Sequence, residues 1–311
     1  MRKQFMAGLA VASLLAMTAC SSTPSATSSG AAPQAGGSAA VSNLAASDAV
    51  GDLAVNSKAR DLLPAAIRDS GVLKVGGETS QPPYLFTDGA TIKGLEADFI
   101  VAVSKTLGLT PEITNTKFAA LVTGLTSRRF DVAMANFSDT KARQEQIDFV
   151  DYAKSQQTFV VKKGNPTKVT SMEELCGHKV AGATGAKSVI LATEQGKACV
   201  AAGKPSVDVQ GFPTVADAQL ALTNGRVDAL PIEYALARAQ VQASNGELEL
   251  VDTYYGPGLN GAGIRKGESD LQKALLEALQ TLIDDGTYQK ILDKWELPAM
   301  AIEKPVVNGS K

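Results

Sequence analysis

A short polar loop carries the side chains best suited to bind an anion. Its sequence is Asn136-Phe137-Ser138-Asp139-Thr140-Lys141-Ala142-Arg143. Ser138, Asp139 or Thr140 can cap the helix that follows, which leaves free backbone N–H groups at the start of that helix. Such a start favours an anion, and the guanidinium of Arg143 matches a carboxylate in a bidentate way. The same residues also fit a capped helix with a solvated arginine, and the local sequence does not decide between these interpretations.

Acids, rings and a lysine add to this set. Glu78 and Glu233 each follow a predicted strand, where an acid is either exposed or placed to meet a cation. Tyr84 and Phe118 could present rings to a ligand, although a single aromatic residue is more often part of the core. Lys187 follows a loop of small residues, and an exposed lysine is the usual interpretation there. Together these groups offer a cation for a carboxylate, acids for an ammonium and rings for carbon, which suits a free amino acid.

Several other classes of protein are disfavoured. The sequence shows no nucleophile–base–acid arrangement and no Gly-rich phosphate loop. His178 is the only histidine and no Cys-x-x-Cys spacing occurs, so neither a metal site nor a cofactor is expected. A formal net charge of −2 argues against a nucleic-acid partner, which would need a basic face. A binding protein is therefore favoured over a hydrolase or a kinase.

Strands and helices alternate along most of the chain, which predicts an α/β fold with mostly parallel sheets. A weak repeat accompanies this alternation: Leu125-Thr126-x-x-Arg129-x-Asp131 recurs as Leu222-Thr223-x-x-Arg226-x-Asp228. The match fits two lobes of similar construction, or chance. Asn136 and Glu233 lie five residues after the two aspartates, where each strand should end. Ligands of open α/β sheets bind at such carboxyl ends.

The N-terminal segment predicts export and anchoring. A basic start is followed by an apolar run from Phe5 to Met17, which is too short to span a membrane. The segment Met17-Thr18-Ala19-Cys20 looks like a lipobox. We therefore predict a lipoprotein signal peptide at 1–19, lipidation of Cys20, a flexible tether over 20–57 and an extracytoplasmic location at the bacterial cell membrane. An ordinary signal peptide with an incidental cysteine is the alternative.

Two further cysteines, Cys176 and Cys199, form an even pair. In an exported protein such a pair is best interpreted as one disulfide. On the chain-entropy model a loop of this length contributes roughly 3–4 kcal/mol to stability.

At these residues the chain resembles the family-3 solute-binding proteins of bacterial ABC importers, in the polar amino acid group. The similarity runs from about Leu63 to Leu297. Its markers include Gly71-Val72-Leu73-Lys74-Val75-Gly76, Pro82-Pro83-Tyr84, Gly94-Leu95-Glu96-Ala97-Asp98, Ser138-x-Thr140-x-x-Arg143, Asn224-Gly225-Arg226-Val227-Asp228-Ala229 and Asp285-Gly286-Thr287-Tyr288-x-x-Ile291. Each marker alone is weak, but their order is specific.

The resemblance implies a two-lobed, type II periplasmic-binding-protein-like fold with two hinge crossings, placed near Gln156–Val161 and Val251–Leu259. Lobe 1 would comprise 58–158 and 255–298, lobe 2 would comprise 159–254, and 299–311 would form a C-terminal tail. The resemblance also implies a monomer that binds a small-molecule amino acid ligand and delivers it to ABC permease subunits, with the membrane reached through the lipid anchor.

The resemblance also implies roles for single residues. Arg143 should hold the α-carboxylate of the ligand, with Ser138 and Thr140 contributing. Glu233 matches an aspartate that holds the α-amine. Phe118 matches a ring over the ligand, and Glu78 matches an acid that often faces the ligand side chain. Asn136 and Tyr84 complete the predicted site.

Three departures from the family pattern bear on the ligand. Gln81 replaces the usual aromatic residue before the Pro-Pro pair, and Ala186 and Lys187 replace hydroxyl residues. Glu233 is one methylene longer than the usual aspartate. One ring is lost and one positive charge is gained, so we expect a polar or charged amino acid, or a derivative with an added carboxylate.

Two other functions are kept as alternatives. A dehydratase or lyase on the same fold could use Glu78 or Glu233 for proton transfer. A ligand-sensing protein that signals through a partner is the other alternative.

Overall fold

Residues 43–310 are described by a computed structural model, and they build an α/β fold. The strands are β1 (Val72–Gly77), β2 (Ser80–Gln81), β3 (Leu85–Asp88), β4 (Thr91–Lys93), β5 (Thr110–Asn115), β6 (Val132–Ala133), β7 (Ile147–Lys162), β8 (Lys179–Ala183), β9 (Asp208–Phe212), β10 (Ala229–Glu233), β11 (Leu248–Arg265) and β12 (Val306–Val307). The helices are α1 (Ser57–Asp61), α2 (Ala65–Ser70), α3 (Leu95–Leu107), α4 (Leu121–Thr126), α5 (Lys141–Gln144), α6 (Lys187–Ala201), α7 (Val215–Thr223), α8 (Tyr234–Ala243), α9 (Ser269–Asp284) and α10 (Thr287–Lys294). The predicted signal peptide, Cys20 and the tether up to residue 42 lie outside the described residues.

The main sheet has two halves with the same strand arrangement. Its order is β5-β1-β6-β11-β7-β10-β8-β9, with β12 added beside β7. In the first half β1 runs parallel to β5 and β6, and in the second half β8 runs parallel to β9 and β10. One antiparallel strand borders each parallel set, β11 on β6 and β7 on β10. The prediction of an α/β fold with mostly parallel sheets is confirmed.

Two long strands connect the halves. β7 and β11 pair with each other along most of their length, from Leu248 with Lys162 to Arg265 with Ile147. Their register shifts between Val251 and Tyr255 and again between Tyr255 and Gly258. The chain therefore crosses between the halves twice, as predicted. On β7 the crossing lies near the start of the predicted range, because Gln157 already pairs with β10.

The weak sequence repeat corresponds to a repeated hydrogen-bond pattern. The backbone N–H of Lys74 donates to Asp131 Oδ2 at 3.2 Å, and that of Lys179 donates to Asp228 Oδ2 at 2.9 Å. Each aspartate also donates its own N–H to the carbonyl of the same lysine. Asp131 therefore holds β6 beside β1, and Asp228 holds β10 beside β8. The two motifs have the same structural role in their halves.

The N-terminal boundary of the folded body differs from the prediction. Residues 43–57 were assigned to the tether, but Ser47 binds both oxygens of Asp98 at 2.6 and 2.7 Å, and Val50 is buried. The N–H of Asn56 donates to the carbonyl of Thr106. A few apolar side chains and an aspartate acceptor on α3 are enough to hold this segment, although its composition resembles a linker.

The C-terminal tail is also held against the body. β12 pairs with β7, and the N–H of Gly309 donates to Asp151 Oδ2 at 2.8 Å. The N–H of Ser310 donates to Asp139 Oδ2 at 2.9 Å. Because Asp139 belongs to the polar loop before α5, the tail supports that loop.

In the second half, Cys176 and Cys199 form a disulfide, which confirms the predicted pairing. The bond ties the segment before β8 to the last part of α6. No helix within residues 43–310 is both long and apolar enough to cross a membrane.

Candidate functional site

A small cavity lies between the two halves at the carboxyl ends of their strands. Its volume is about 40 Å³, room for about three water molecules. From the first half and from β7 it is lined by Gln81, Phe118, Asn136, Ser138 and Gln157. From the second half it is lined by Gly182, Ala183, Ala186, Lys187, Ser188, Val215, Leu230, Pro231, Ile232, Glu233 and Leu236. This is the position at which open α/β sheets bind ligands.

Arg143 lies directly behind this cavity. It belongs to α5, whose N-cap is Thr140: the Oγ1 of Thr140 accepts a bond from the N–H of Arg143. The guanidinium donates to the carbonyl of Ser138 in the first half, and to the carbonyl of Gly185 in the second half at 2.7 Å. Arg143 therefore joins the two halves at the edge of the cavity.

Aromatic rings enclose the same guanidinium. Its central carbon lies 5.2 Å from the ring centre of Phe118 and 4.6 Å from that of Phe137. Only 8% of Arg143 is exposed. Burial lowers the pKa of Arg143 to about 10, against the opposing effect of the Asp139 carboxylate. The side chain remains a cation at neutral pH, oriented by rings and carbonyls.

The start of α6 forms the opposite wall. Ala186 at its N-cap offers no side-chain acceptor, and Ser188 in its first turn is buried at the cavity. The first N–H groups of a helix have no partner within the helix and favour an anion. Lys187 donates from Nζ to the carbonyls of Gly256 and Pro257 at 2.7 and 3.2 Å. Burial, and then the charge of Arg143, lower the pKa of Lys187.

Glu233 ends β10 and caps α8. Its Oε2 accepts the N–H groups of Ala235 and Leu236 at 2.9 and 3.2 Å. Only 5% of the residue is exposed, and burial raises the pKa of Glu233 to about 7, although the N–H of Leu236 and the hydroxyl of Tyr84 oppose this rise. The carboxyl group therefore changes its charge close to neutral pH.

Gln81 occupies the position where an acid was expected. Glu78 is 1% exposed and does not line the cavity. Its Oε2 accepts from Gln81 Nε2 at 3.0 Å and from the N–H of Phe118 at 3.2 Å. The prediction that Glu78 faces the ligand directly is therefore modified: the amide of Gln81 stands between Glu78 and the cavity.

Tyr84 is part of the core instead of the cavity wall. It is 0% exposed, and its hydroxyl lies 3.8 Å from the sulfur of Met300. Burial, followed by the charge of Glu233, raises the pKa of Tyr84. The backbone of Tyr84 is closely packed as well, because a Cβ on Gly94 would lie 2.0 Å from its carbonyl oxygen.

The structure thus sorts the predicted site residues into two sets. The members at the cavity wall are Gln81, Phe118, Asn136, Ser138, Lys187 and Glu233. The members behind the wall are Glu78, Tyr84, Thr140 and Arg143.

Sequence reasoning missed several residues of the site. Gln157 lies on the predicted crossing and Ser188 follows Lys187, so position could have indicated both. Val215 and Leu230 carry no signal, because an apolar residue at a wall looks like core. Asn260 is fully buried and holds the polar loop, since its Nδ2 donates to Asn136 Oδ1 at 2.6 Å. Residues 43–310 contain no cluster of side chains that could hold a metal ion.

Two α/β halves joined by two crossing strands, with a polar cavity at the junction, define a solute-binding protein of the type II periplasmic class. A family model for bacterial extracellular solute-binding proteins, family 3, matches residues 73–298. The chain belongs to this family, as its sequence markers predicted.

Similar proteins include an arginine-binding protein, ArgT of Corynebacterium glutamicum, 27% identical over 252 residues that cover 79% of this chain and 81% of ArgT. A solved ancestral arginine-binding protein bound to glutamine is 37% identical, with a TM-score of 0.65 over 72% of this chain and 97% of that chain. The ancestral amino acid-binding protein AncCDT-1, a precursor of cyclohexadienyl dehydratase, is 29% identical, with a TM-score of 0.66 over 74% of this chain and 97% of that chain.

Proposed function

We propose that this protein captures a polar or charged amino acid between its two halves and delivers it to the permease of an ABC importer. The observation that carries the proposal is a pair of opposite charges beside the cavity, a buried cation at Arg143 behind its edge and a buried acid at Glu233 in its wall. An amino acid carries the complementary pair, an α-carboxylate and an α-ammonium. The relatives named for arginine binding and amino acid binding support the same ligand class.

In this proposal the α-carboxylate of the ligand replaces the carbonyl of Gly185 as an acceptor for Arg143. Arg143 donates to the carbonyl of Gly185 at the edge of the cavity. A carboxylate adds a full negative charge and a bidentate match to the guanidinium, which a single neutral carbonyl lacks, and it can also accept N–H bonds at the start of α6. The ligand would then bridge the two halves. Because both halves contribute walls to the cavity, we expect them to part as the ligand enters and to close around it.

The direct test is calorimetric titration with a panel of L-amino acids. At least one should bind to the wild type, and Arg143→Ala should weaken that binding by about 100-fold or more, because a charge-assisted pair is lost from a buried site. Arg129→Ala is the matched control, since Arg129 is exposed in the first half. Normal binding by Arg143→Ala with an intact fold would remove the carboxylate assignment.

The cellular part of the proposal concerns Cys20. Lipidation at this residue, with a tether behind it, would keep the protein at the membrane beside its importer. The lipobox-like sequence and the family support this view. Cys20→Ser should release from the membrane a protein that still binds the ligand, and fractionation of the cells would show this. A variant that stayed in the membrane fraction would contradict lipid anchoring.

One observation favours a second candidate function. The raised pKa of Glu233, about 7, suits an acid that transfers protons, as a dehydratase would need. We nevertheless propose a non-enzymatic protein, because the carboxyl group of Glu233 already caps α8. Incubation with prephenate or arogenate separates the two functions: unchanged substrate supports binding alone, and turnover supports the enzyme.

A further inference from the structure

The amide of Gln81 has a fixed orientation. Its Nε2 donates to Glu78 Oε2, and the same oxygen accepts the backbone N–H of Phe118. That N–H can only donate, so Oε2 acts as an acceptor. Rotation of the amide would place the carbonyl of Gln81 against this acceptor, which is repulsive. Glu78 therefore holds the nitrogen of Gln81 away from the cavity and leaves Oε1 as the atom that a ligand can reach.

Two residues of the cavity wall each carry a buried polar atom that has no hydrogen-bond partner among residues 43–310. These atoms are Gln81 Oε1 and Gln157 Nε2. Both residues are more than nine-tenths buried. A buried polar atom without a partner is unfavourable, and such atoms in native structures call for a functional explanation. One comes from the first half and one from the crossing strand, so a ligand between the halves could satisfy both.

We propose that Gln81, held by Glu78, selects amino acids whose side chain ends in an N–H donor, such as a carboxamide, ureido or guanidinium group. This inference rests on the proposed function and names the ligand class of the same site.

A side-chain carboxylate would meet the wrong partner at Gln81. It would face an amide oxygen, with the Glu78 carboxylate directly behind that amide. The nearby cations are already engaged. Arg143 is assigned to the α-carboxylate, and Lys187 donates to Gly256 and Pro257. The exposed Lys117 lies 4.0 Å from Glu78 Oε1. An apolar side chain would leave Oε1 unpaired. The derivative with an added carboxylate, which the sequence alone allowed, is therefore disfavoured.

Gln157 extends the preference toward ligands whose side chain carries both a hydrogen-bond donor and a hydrogen-bond acceptor. No side-chain bond within residues 43–310 fixes the sense of its amide, so it can either donate or accept. A carboxamide or ureido side chain offers a donor to Gln81 and an acceptor to Gln157. A guanidinium can satisfy Gln81 and can also bind Gln157 after its amide rotates.

The test compares matched ligands on the wild type and on Gln81→Met, which keeps the side-chain length. Glutamine, citrulline and arginine form the donor set, and glutamate and methionine form the comparison set. The tightest donor ligand should bind the wild type at least tenfold more tightly than either comparison ligand. In Gln81→Met the difference between glutamine and methionine should fall below threefold. Gln289→Met, on the exposed face of α10, should leave every ratio unchanged.

Glu78→Met tests the role of Glu78 as a positioning residue. It removes the acceptor of the Gln81 amide, so that amide should be free to rotate and the tenfold preference for glutamine over glutamate should shrink. Glu78→Gln is the matched control, because its amide oxygen can still accept from Gln81 and from the N–H of Phe118, and it should keep the preference. The wild type binding glutamate or methionine as tightly as the donor set would overturn this inference and leave the proposed function intact. Failure of every amino acid to bind the wild type would instead overturn the proposed function, and this inference with it.

Discussion

The two halves share one scaffold but contribute different chemistry to the cavity. In the first half, the site is built from side chains that other parts of the protein hold in place: Glu78 holds Gln81, Asn260 holds Asn136, and rings enclose Arg143. In the second half, the wall is mostly small or apolar, with the starts of α6 and α8 and one acid, Glu233.

The first half contributes a permanent positive charge to the site, and the second half contributes an acid whose charge depends on pH. Arg143 stays a cation at every physiological pH, whereas burial brings the pKa of Glu233 to about 7. The first half can hold its side of the site ready while the halves are apart. The second half completes the site, and the charge of its acid depends on the ligand and on pH.

The largest expected effect tests how tightly the first half is packed. Gly94→Ala should lower the free energy of unfolding by about 4 kcal/mol, because the new Cβ would strike the carbonyl of Tyr84 in a backbone conformation that favours glycine. Gly185→Ala, at the loop of the second half, should lower it by only about 1 kcal/mol, since no atom lies within 4 Å of the added carbon. Chemical denaturation measures both, and equal values would contradict the contrast between the halves.

The next effect concerns the titrating acid of the second half. The ammonium of a ligand favours ionised Glu233, so a proton must leave when binding occurs below the pKa of about 7. Affinity should therefore rise with pH through about 7 and then level off, by about 30-fold between about pH 5.5 and about pH 8.

The matched variant for this experiment is Glu233→Gln, which can still cap α8 through its amide oxygen. It should bind more weakly at high pH and lose the dependence on pH. Calorimetry across the range gives both curves. A pH dependence that persisted in Glu233→Gln would assign the titration to another group.

The smallest expected effect tests the aspartate motif that both halves share. Asp131→Ala and Asp228→Ala should each lower the free energy of unfolding by about 1.5 kcal/mol, because each removes the acceptor of a strand N–H. Thermal unfolding of both variants provides the comparison. If the two losses in the free energy of unfolding differed by more than twofold, the motif would contribute unequally to the stability of the two halves.

Sequence reasoning could predict features that depend on local pattern. The alternation of strands and helices and the repeat that ends at Asp131 and Asp228 are short-range patterns, and the structure has the α/β sheet and the paired motifs that they indicated. The disulfide followed from an even pair of cysteines in an exported protein.

Features that depend on contacts between distant segments could not be predicted. The hold of Glu78 on Gln81 requires that both lie beside Phe118, and Asn260 meets Asn136 across 124 positions of sequence. Ser47 binds α3 although its neighbours resemble a linker. In each case the residue types permit many partners, and only the fold selects one.

The central claim is that Arg143 holds the α-carboxylate of an amino acid. The most direct measurement is a double cycle by calorimetry, which compares the tightest-binding amino acid with its α-carboxamide on the wild type and on Arg143→Ala. The wild type should lose about 100-fold or more in affinity for the α-carboxamide, and Arg143→Ala should bind the two compounds equally weakly. Equal affinity of the wild type for the acid and its α-carboxamide would contradict the account.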